Sequence, residues 1–275
     1  MSSIVGKLAV VYARNFPNHR GRFRLFSLLD RCFGPFVVRT AEEFSLEVFL
    51  SSAMDLSYFR NQNSRGPELA IDHIVPALIR ELKPGECFID VGANIGWLSN
   101  LASRVVGQEG RVVSFEPSPR EYVRLIHGIL LNKAENIIPV NCALGEAPSV
   151  AVLEVARDHT GLNRLASAAG PAGSGWTKVA VPVWTGDEVL PPLVGSRAVG
   201  LLKIDTEGAE LLVLSGLKRF IAKFRPRKIV VEITPAFLLR FGSDKKGIYE
   251  LLSVLDYVGT INSDLPQYDE VFVAR

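Results

Sequence analysis

The chain has 275 residues, of which 48% are hydrophobic and 22% charged, and its formal net charge at pH 7 is +2. This is the composition of a globular chain long enough for one large α/β domain with an appendage. The small net charge gives no strong field for nucleic acid, so we expect no nucleic-acid partner. The three scattered cysteines are too few for a disulfide framework or a cysteine-rich zinc site, so a reducing cytoplasm is the expected location.

Residues 1–66 are predicted to form an N-terminal cap made of a helix and a β-hairpin. The region 4–33 mixes apolar side chains with basic ones, which could place an amphipathic helix on a membrane surface or, alternatively, pack a solvated helix on the main domain. The basic residues are Lys7, Arg14, Arg20, Arg22, Arg24 and Arg31. Residues 36–40 and 44–50 are predicted to be the two strands of the hairpin.

Residues 67–275 are predicted to form the main domain, in which strands and helices alternate. A helix over 67–82 comes first. Strands follow at 87–91, 111–116, 137–144, 199–205 and 228–234, with helices at 96–106, 118–131, 208–224 and 244–255. This alternation predicts an α/β, doubly wound, mostly parallel sheet. Strands at 257–262 and 268–273 complete seven strands and are expected to pair antiparallel at one edge.

An insertion over about 149–190 separates the third and fourth strands. Residues 150–155 alternate like a half-exposed strand, whereas 166–175 are rich in Ala, Gly and Ser. Ligands of open α/β sheets bind at the carboxyl ends of the strands. The small-residue stretch could therefore be a substrate lid, or else a plain surface linker.

The turn that follows the first strand of the sheet has the pattern of a cofactor site. Asp90 ends the strand, and Gly92 and Gly96 lie in the turn that opens the next helix. An acid at this place would repel a pyrophosphate but attract the sulfonium and ammonium of S-adenosylmethionine. Asn94 replaces the second glycine of a dinucleotide motif, and Glu116, at the end of the next strand, is suited to hold ribose hydroxyls. The pattern favours S-adenosylmethionine over NAD.

Acids also follow the fourth and fifth strands. Asp205 and Glu207 lie in one strand-to-helix turn, and Glu232 ends the neighbouring strand. Because buried carboxylates are costly unless they bind cations or share protons, this cluster indicates a site. Methyl transfer to a hydroxyl needs a general base, for which the candidates are, in order, Asp205, Glu207, Glu232 and His159. His159 could instead be an exposed loop histidine. A divalent metal held by the three acids is the alternative, but the motif lacks a well-defined ligand spacing, and no metal is assigned.

Together these segments resemble the FkbM family of S-adenosylmethionine-dependent methyltransferases. The matching motifs lie at 90–96, 115–117, 141–145, 203–210 and 231–232. The resemblance implies a class I methyltransferase (Rossmann-like) fold and O-methylation of a hydroxyl on a sugar, glycolipid or secondary metabolite. It implies cofactor contacts at Asp90, Gly92, Ala93, Asn94, Gly96, Glu116, Pro117, Asn141, Cys142 and Ala143. Asp90, Gly92, Asn94 and Gly96 would line the methionine end, Glu116 would hold the ribose, and Asn141 to Ala143 would lie near the adenine. Asn141 could equally be a turn-forming residue.

Two departures limit what the resemblance implies. Gly186 stands where the family usually has leucine, and residues 1 to about 64 resemble family members only weakly, so the acceptor is not assigned. Two other functions remain open. One is a cofactor-binding regulatory domain that has lost catalysis, against which the intact acids argue. The other is an NAD-dependent oxidoreductase, against which Asp90 and Asn94 argue.

Overall fold

The computed structural model describes residues 4–15, 21–58, 74–156, 163–166 and 175–275. Its first elements are α1 (Ile4–Asn15), α2 (Arg22–Phe33), β1 (Phe36–Arg39), β2 (Ser45–Val48) and α3 (Ala53–Ser57). The two strands form the predicted antiparallel hairpin, with Phe36 opposite Val48. Phe36, Val38, Leu46 and Val48 alternate with more exposed residues and are buried, so one face of the hairpin enters the core. None of the described helices is both long enough and apolar enough to cross a membrane.

The remaining elements combine alternating strands and helices with a run of consecutive strands from β5 to β9. They are α4 (Ile74–Arg80), β3 (Cys87–Val91), α5 (Trp97–Val106), β4 (Arg111–Phe115), α6 (Pro119–Asn132), β5 (Ile137–Val140), β6 (Ala143–Leu144), β7 (Ser149–Ala156), β8 (Arg164–Leu165), β9 (Trp176–Trp184), α7 (Gly186–Val194), β10 (Val199–Ile204), α8 (Glu210–Ser215), α9 (Lys218–Phe224), β11 (Lys228–Ile233), α10 (Pro235–Leu238), a 3-10 turn (Leu239–Phe241), α11 (Lys245–Val254), β12 (Tyr257–Gly259) and β13 (Tyr268–Ala274).

Seven strands form the main sheet in the order β12-β13-β11-β10-β3-β4-β5. Strands β3, β4, β5, β10 and β11 are parallel, whereas β13 runs antiparallel to both β11 and β12. The predicted class I, mostly parallel seven-stranded sheet with an antiparallel C-terminal edge is confirmed. The chain leaves β3 toward β4 on one side and returns to β10 on the other. The loops after β3 and β10 therefore meet at a topological switch point, where open α/β sheets bind ligands.

The structure divides two elements that the sequence pattern predicts as continuous. The predicted strand 137–144 becomes β5 and β6, because β6 leaves the main sheet and pairs with β9. The predicted helix 208–224 becomes α8 and α9, which separate at Gly216. A side chain at Gly216 would lie 2.0 Å from the carbonyl oxygen of Gly145, so this break brings two backbones into contact.

The insertion forms a second sheet in the order β6-β9-β7-β8. The half-exposed strand predicted at 150–155 lies within β7, which pairs with β9 from Ser149 opposite Val183 to Ala156 opposite Trp176. Strand β9 and helix α7 are additions to the prediction. The small-residue stretch at 166–175 lies outside the described residues except at its two ends, and His159 lies outside them as well.

Polar contacts attach the hairpin and α3 to α6. Arg124 of α6 pairs with Asp55 of α3, and both side chains are buried. Asp55 also accepts a hydrogen bond of 2.8 Å from the backbone N–H of Phe49. Asn132, at the end of α6, accepts from the backbone N–H of Ser45 at 2.7 Å and donates to its carbonyl at 2.8 Å. These contacts hold α3 in a fixed position beside the loops of the main sheet.

Candidate active site

A cleft of about 640 Å³ opens at the carboxyl ends of β3, β4, β10 and β11. It is lined by seven of the predicted cofactor residues, Gly92, Ala93, Asn94, Glu116, Pro117, Cys142 and Ala143, and by the predicted catalytic acids Asp205, Glu207 and Glu232. Met54 and Tyr58 from the N-terminal part, and Arg164 from the insertion, contribute to its walls. The volume is in the range of pockets that hold a cofactor-sized ligand.

The turn after β3 uses its own backbone donors internally. The N–H groups of Gly92 and Ala93 both donate to the carbonyl oxygen of Phe115, at 3.0 and 2.9 Å. The N–H groups of the following residues donate to the carboxylate of Glu116, to the side chain of Asn94 and to the carbonyl of Ala93. A diphosphate is bound through unpaired N–H groups of such a turn. With the donors of residues 92–96 already paired, this turn is poorly suited to a dinucleotide.

The two glycines of this turn permit close approach of neighbouring groups. Gly92 has φ +81°, and a side chain there would lie 1.9 Å from the carbonyl oxygen of Asp205. Gly96 has φ +80°, and a side chain there would lie 2.3 Å from Leu125. Gly92 thus allows the loops after β3 and β10 to touch, and Gly96, which does not line the cleft, allows α5 to pack on α6.

Asp90 lies beneath the cleft, in contrast to the expected position beside a ligand. Its side chain is fully buried, and Oδ2 accepts a 2.6 Å hydrogen bond from Ser99 of α5. The other oxygen lies 3.4 Å from the ammonium of Lys203. The strand β3 is covered on both faces, so the side chain points into the layer under the turn. Asp90 is placed to support the site rather than to contact a cofactor.

Lys203 is a site residue to which sequence reasoning assigned no role. Its ammonium lies in the cleft floor, donates to the carbonyl of Gly92 at 2.8 Å, and is 3.2 Å from the carboxylate of Asp205. Burial disfavours the charged ammonium, but Asp205 and Asp90 outweigh it and raise the pKa of Lys203 above its ordinary value. A single lysine in an otherwise apolar strand that ends in an acid was the available signal. The Lys203 ammonium thus links the loop after β3, through the carbonyl of Gly92, to the loop after β10, through the carboxylate of Asp205.

Glu116 is held with both carboxylate oxygens facing backbone donors. Oε2 accepts from Asn94 N–H and Oε1 from Ser118 N–H, each at 2.8 Å. Each oxygen keeps a further lone pair, so the group can also accept from two ligand hydroxyls. Burial raises the pKa of Glu116 to about 8, although the two N–H donors favour the charged form. The geometry fits the ribose-binding role predicted for this residue.

The residues predicted near adenine have different environments. Asn141 does not line the cleft; its amide donates to the carbonyl oxygens of Glu116 and Pro117 at 2.8 and 3.3 Å and so fixes the loop that carries Glu116. Cys142 does line it, and burial raises the pKa of its thiol to about 11. Cys142 therefore offers a small apolar contact rather than a reactive thiolate.

The three acids after β10 and β11 come together in the cleft. Asp205, Glu207 and Glu232 each place a carboxylate oxygen within 4.8 Å of the others. Burial and the nearby Asp205 raise the pKa of Glu207 to about 8, and the same causes raise that of Glu232 well above its ordinary value. Glu207 also has a left-handed backbone, with φ +57°, a strained conformation typical of functional loops.

The acid cluster has the oxygen ligands that a divalent cation prefers. One positive charge is already present, however, because the Lys203 ammonium lies 3.2 Å from Asp205. Gln267 also donates to Glu232 at 2.6 Å. The remaining negative charge can be lowered by proton sharing between Glu207 and Glu232, as their raised pKa values indicate. The cluster can thus bind a cation or exchange protons with a bound hydroxyl.

One known protein family and several solved structures are similar to this chain. A family model described as the methyltransferase FkbM domain matches residues 90–258, more than half of the chain. A solved structure of methyltransferase FkbM from Methylobacillus flagellatus KT is similar at 19% identity and a TM-score of 0.45, over 72% of this chain and 50% of that chain. The present chain thus spans half the length of that protein.

Two other solved structures are similar at lower identity. Fibrillarin from Aeropyrum pernix, in complex with S-adenosyl-L-methionine, shares 17% identity with a TM-score of 0.41 over 73% of this chain and 72% of that chain. A putative rRNA methylase from Clostridium thermocellum shares 12% identity with a TM-score of 0.45, over 72% and 92% of the two chains. A search of curated proteins found no match.

The family match begins at Asp90, includes the turn that follows it, and covers β10 and β11 together with Asp205 and Glu232. It confirms the resemblance found in the sequence, and S-adenosylmethionine is the methyl donor of these enzymes. On this evidence the chain belongs to the FkbM family of S-adenosylmethionine-dependent methyltransferases.

Proposed function

We propose that the protein transfers a methyl group to a hydroxyl of a sugar, a glycolipid or a secondary metabolite. One observation carries the proposal: Asp205, Glu207 and Glu232 lie within 4.8 Å of one another in the same cleft that Glu116 lines. One group of carboxylates can therefore receive the acceptor's proton while the carboxylate of Glu116, which follows β4, holds the cofactor. The proposal applies to the described chain, which spans half of the FkbM protein from Methylobacillus.

The chain's residues fit the parts of S-adenosylmethionine. The carboxylate of Glu116 would accept from the two ribose hydroxyls, and Pro117, Cys142 and Ala143 would contact the adenine. Gly92 to Asn94 would line the methionine end, with Asp90 and Lys203 supporting them from below. When bound, the cofactor supplies an electrophilic methyl group on sulfur; the C–S bond breaks as the C–O bond to the acceptor forms.

Among the three acids, Glu207 is the general base that the charges favour. A carboxylate oxygen of Asp205 is already paired with the Lys203 ammonium at 3.2 Å. The pKa of Glu207 is raised to about 8, close to a neutral working pH, where a base is most effective. Asp205 would then orient the acceptor hydroxyl, and Glu232 would share the proton with Glu207. His159 stays a candidate on sequence grounds alone.

The lining of the cleft supports a small acceptor. Among the described residues, the lining contains the acids Glu116, Asp205, Glu207, Glu232 and Asp269 and the basic residues Lys203 and Arg164. Even with the pKa values of Glu116, Glu207 and Glu232 raised, these residues carry no excess of positive charge that would hold a polyanion, in line with the expectation that nucleic acid is not the substrate. Tyr58 and Trp97 also line the cleft and stack with ring centroids 5.7 Å apart, forming an apolar wall for the acceptor.

The test combines ligand binding with turnover. We expect S-adenosylhomocysteine to bind in calorimetric titration and NAD not to bind, with the same result when a chelator is present. Glu207→Gln should keep cofactor affinity but lower methyl transfer to a hydroxylated acceptor by about 100-fold or more, the usual contribution of a general base. Glu135→Gln, a change at an exposed glutamate far along the chain from the acids, is the control and should keep full activity.

Each competing function predicts a different result. A regulatory domain without catalysis would bind the cofactor product but transfer no methyl group to any hydroxylated acceptor. An oxidoreductase would bind NAD, and loss of turnover on chelation would favour a metal held by the three acids. Methylation of an RNA in preference to hydroxylated metabolites would exclude the proposed acceptor class.

A further inference from the structure

Helix α1 carries an apolar stripe on its outer face. Ile4, Leu8 and Val11 are spaced as one face of a helix and are 78%, 64% and 55% exposed. The opposite face holds the small residues Gly6, Ala9 and Ala13, which are buried. The helix is thus packed inward through small side chains and presents its large ones to the outside, the reverse of a surface helix in an ordinary globular domain.

Helix α2 also presents large apolar side chains to the outside, although its buried residues are Arg22 and Phe26 rather than small ones. Phe26 is buried, whereas Leu25 and Leu28, on another side of the helix, are exposed. Arg24 and Arg31 are also exposed. They are seven positions apart and lie on the helix surface next to these leucines. The apolar stripe of α2 is therefore bordered by basic side chains.

The charge of this region is of one sign. Residues 1–33 contain the six basic residues named above and a single acid, Asp30. That acid is turned inward, where its two oxygens accept hydrogen bonds of 2.8 and 2.7 Å from the backbone N–H groups of Leu50 and Ser51. Lys7, Arg24 and Arg31 are exposed. The outer faces of α1 and α2 thus offer large apolar side chains together with the exposed cations Lys7, Arg24 and Arg31.

We propose that the outer faces of α1 and α2 dock on an anionic phospholipid membrane, with the leucine and isoleucine side chains among the acyl chains and the basic side chains at the headgroups. Apolar residues alone would suit a protein partner, and basic residues alone would suit a nucleic acid. Their combination on adjoining rows of short helices is the pattern of an interfacial membrane segment.

Docking there has a structural link to the cleft. Helix α3, which follows the hairpin, supplies Ala53, Met54 and Ser57 to the cleft lining. Asp30 of α2 binds the backbone just before α3, at Leu50 and Ser51. Through Asp30, helix α2 is thus joined to the segment that leads into α3, which borders the cleft. The inference does not depend on the proposed reaction, because binding to lipid can be measured without turnover.

The test is sedimentation of the full chain with vesicles of phosphatidylcholine alone or mixed with phosphatidylglycerol. We expect binding to the anionic vesicles only, weakened by salt. Arg24→Gln with Arg31→Gln should lower the partition coefficient about 30-fold, since each basic residue near an anionic surface contributes about fivefold. Leu8→Ser with Leu28→Ser should lower it at least about tenfold.

Control variants change exposed basic and apolar residues elsewhere. Lys178→Gln with Lys218→Gln removes two exposed charges on β9 and α9, and Val254→Ser removes an exposed apolar side chain on α11. These variants should bind vesicles as the original chain does. All variants should keep their affinity for S-adenosylhomocysteine, which separates a failure of docking from a failure of the proposed function.

Three results would overturn the inference. The first is the absence of sedimentation, or equal sedimentation with neutral vesicles. The second is a dimer in light scattering that the leucine variants dissociate, which would make a second copy of the chain the occupant. The third is binding to an RNA oligonucleotide that the arginine variants abolish while the leucine variants keep it.

Discussion

Replacing Lys203 by Met should destabilise the protein strongly, because it leaves Asp90 without a compensating charge. Asp90 is fully buried, and the Oδ1 atom that faces Lys203 has no hydrogen-bond partner among the described residues. Among the described residues, the Lys203 ammonium at 3.4 Å is thus the only group that compensates the negative charge on this oxygen. Breaking a buried ion pair from one side costs about 3–5 kcal/mol. Against a typical total stability of about 5–15 kcal/mol, such a loss is large.

Urea unfolding of the variants measures this loss. Lys228→Met is the control. Lys228 lies on the adjacent strand and pairs with Glu81 at 2.6 Å, but the two side chains are 24% and 53% exposed. This variant should lower the free energy of unfolding by less than about 1 kcal/mol. Combining Lys203→Met with Asp90→Asn removes both charges and should recover most of the stability. The reasoning is refuted if Lys203→Met lies within about 1 kcal/mol of the original chain, or if the double variant is no more stable than the single one.

Three further predictions concern the same cleft. Because burial raises the pKa of Glu116 to about 8, the affinity for S-adenosylhomocysteine should rise roughly tenfold per pH unit below about pH 8 and then level off. Calorimetry of Glu116→Gln should show an affinity that does not change with pH. A pH-dependent affinity in this variant would contradict the prediction. Burial likewise raises the pKa of Glu207 from 4.5 to about 8, so the folded state binds more protons than the unfolded state in that window and stability should fall as pH rises. Thermal melts of Glu207→Gln should show a shallower fall, and an unchanged slope would count against the assignment. Gly92→Ala should destabilise the fold much more than Gly107→Ala. Both glycines have positive φ, but only a side chain at Gly92 would meet a backbone oxygen, that of Asp205 at 1.9 Å. Equal urea midpoints for the two variants would show that the loops after β3 and β10 can separate.

The main sheet and its acids could be predicted because their signals are local. Each parallel strand is a short apolar run, and the runs that become β3 and β10 end at an acid. The carboxyl ends of parallel strands share one edge, so Asp205, Glu207 and Glu232 could be placed together from their positions alone. Their proximity within 4.8 Å follows from neighbouring strands in the expected order.

The second sheet could not be predicted in the same way. Strand β6 has two residues and pairs with the end of β9, about 40 positions away, so no local pattern marks it. Helix α7 contains Pro191 and Pro192, which ordinarily argue against a helix interior. Both elements depend on contacts between segments distant in the chain.

The positions of Asp90 and Lys203 required the structure for another reason. A strand pattern shows which residues end a strand, but the layer into which a side chain points depends on what covers each face. Because β3 and β10 are central and buried on both faces, an acid and a base could be placed inside as a pair. The sequence pattern alone suggests contact with a ligand for the first and no role for the second.

The attachment of the N-terminal part to α6 limits how acceptor specificity could be changed by exchanging segments. Arg124 and Asn132 belong to α6, yet their partners Asp55 and Ser45 lie before the main domain. Removing or replacing the N-terminal part alone would leave a buried guanidinium without its carboxylate. A chimaera that takes the first sixty or so residues from a relative should therefore also carry that relative's counterpart of helix α6.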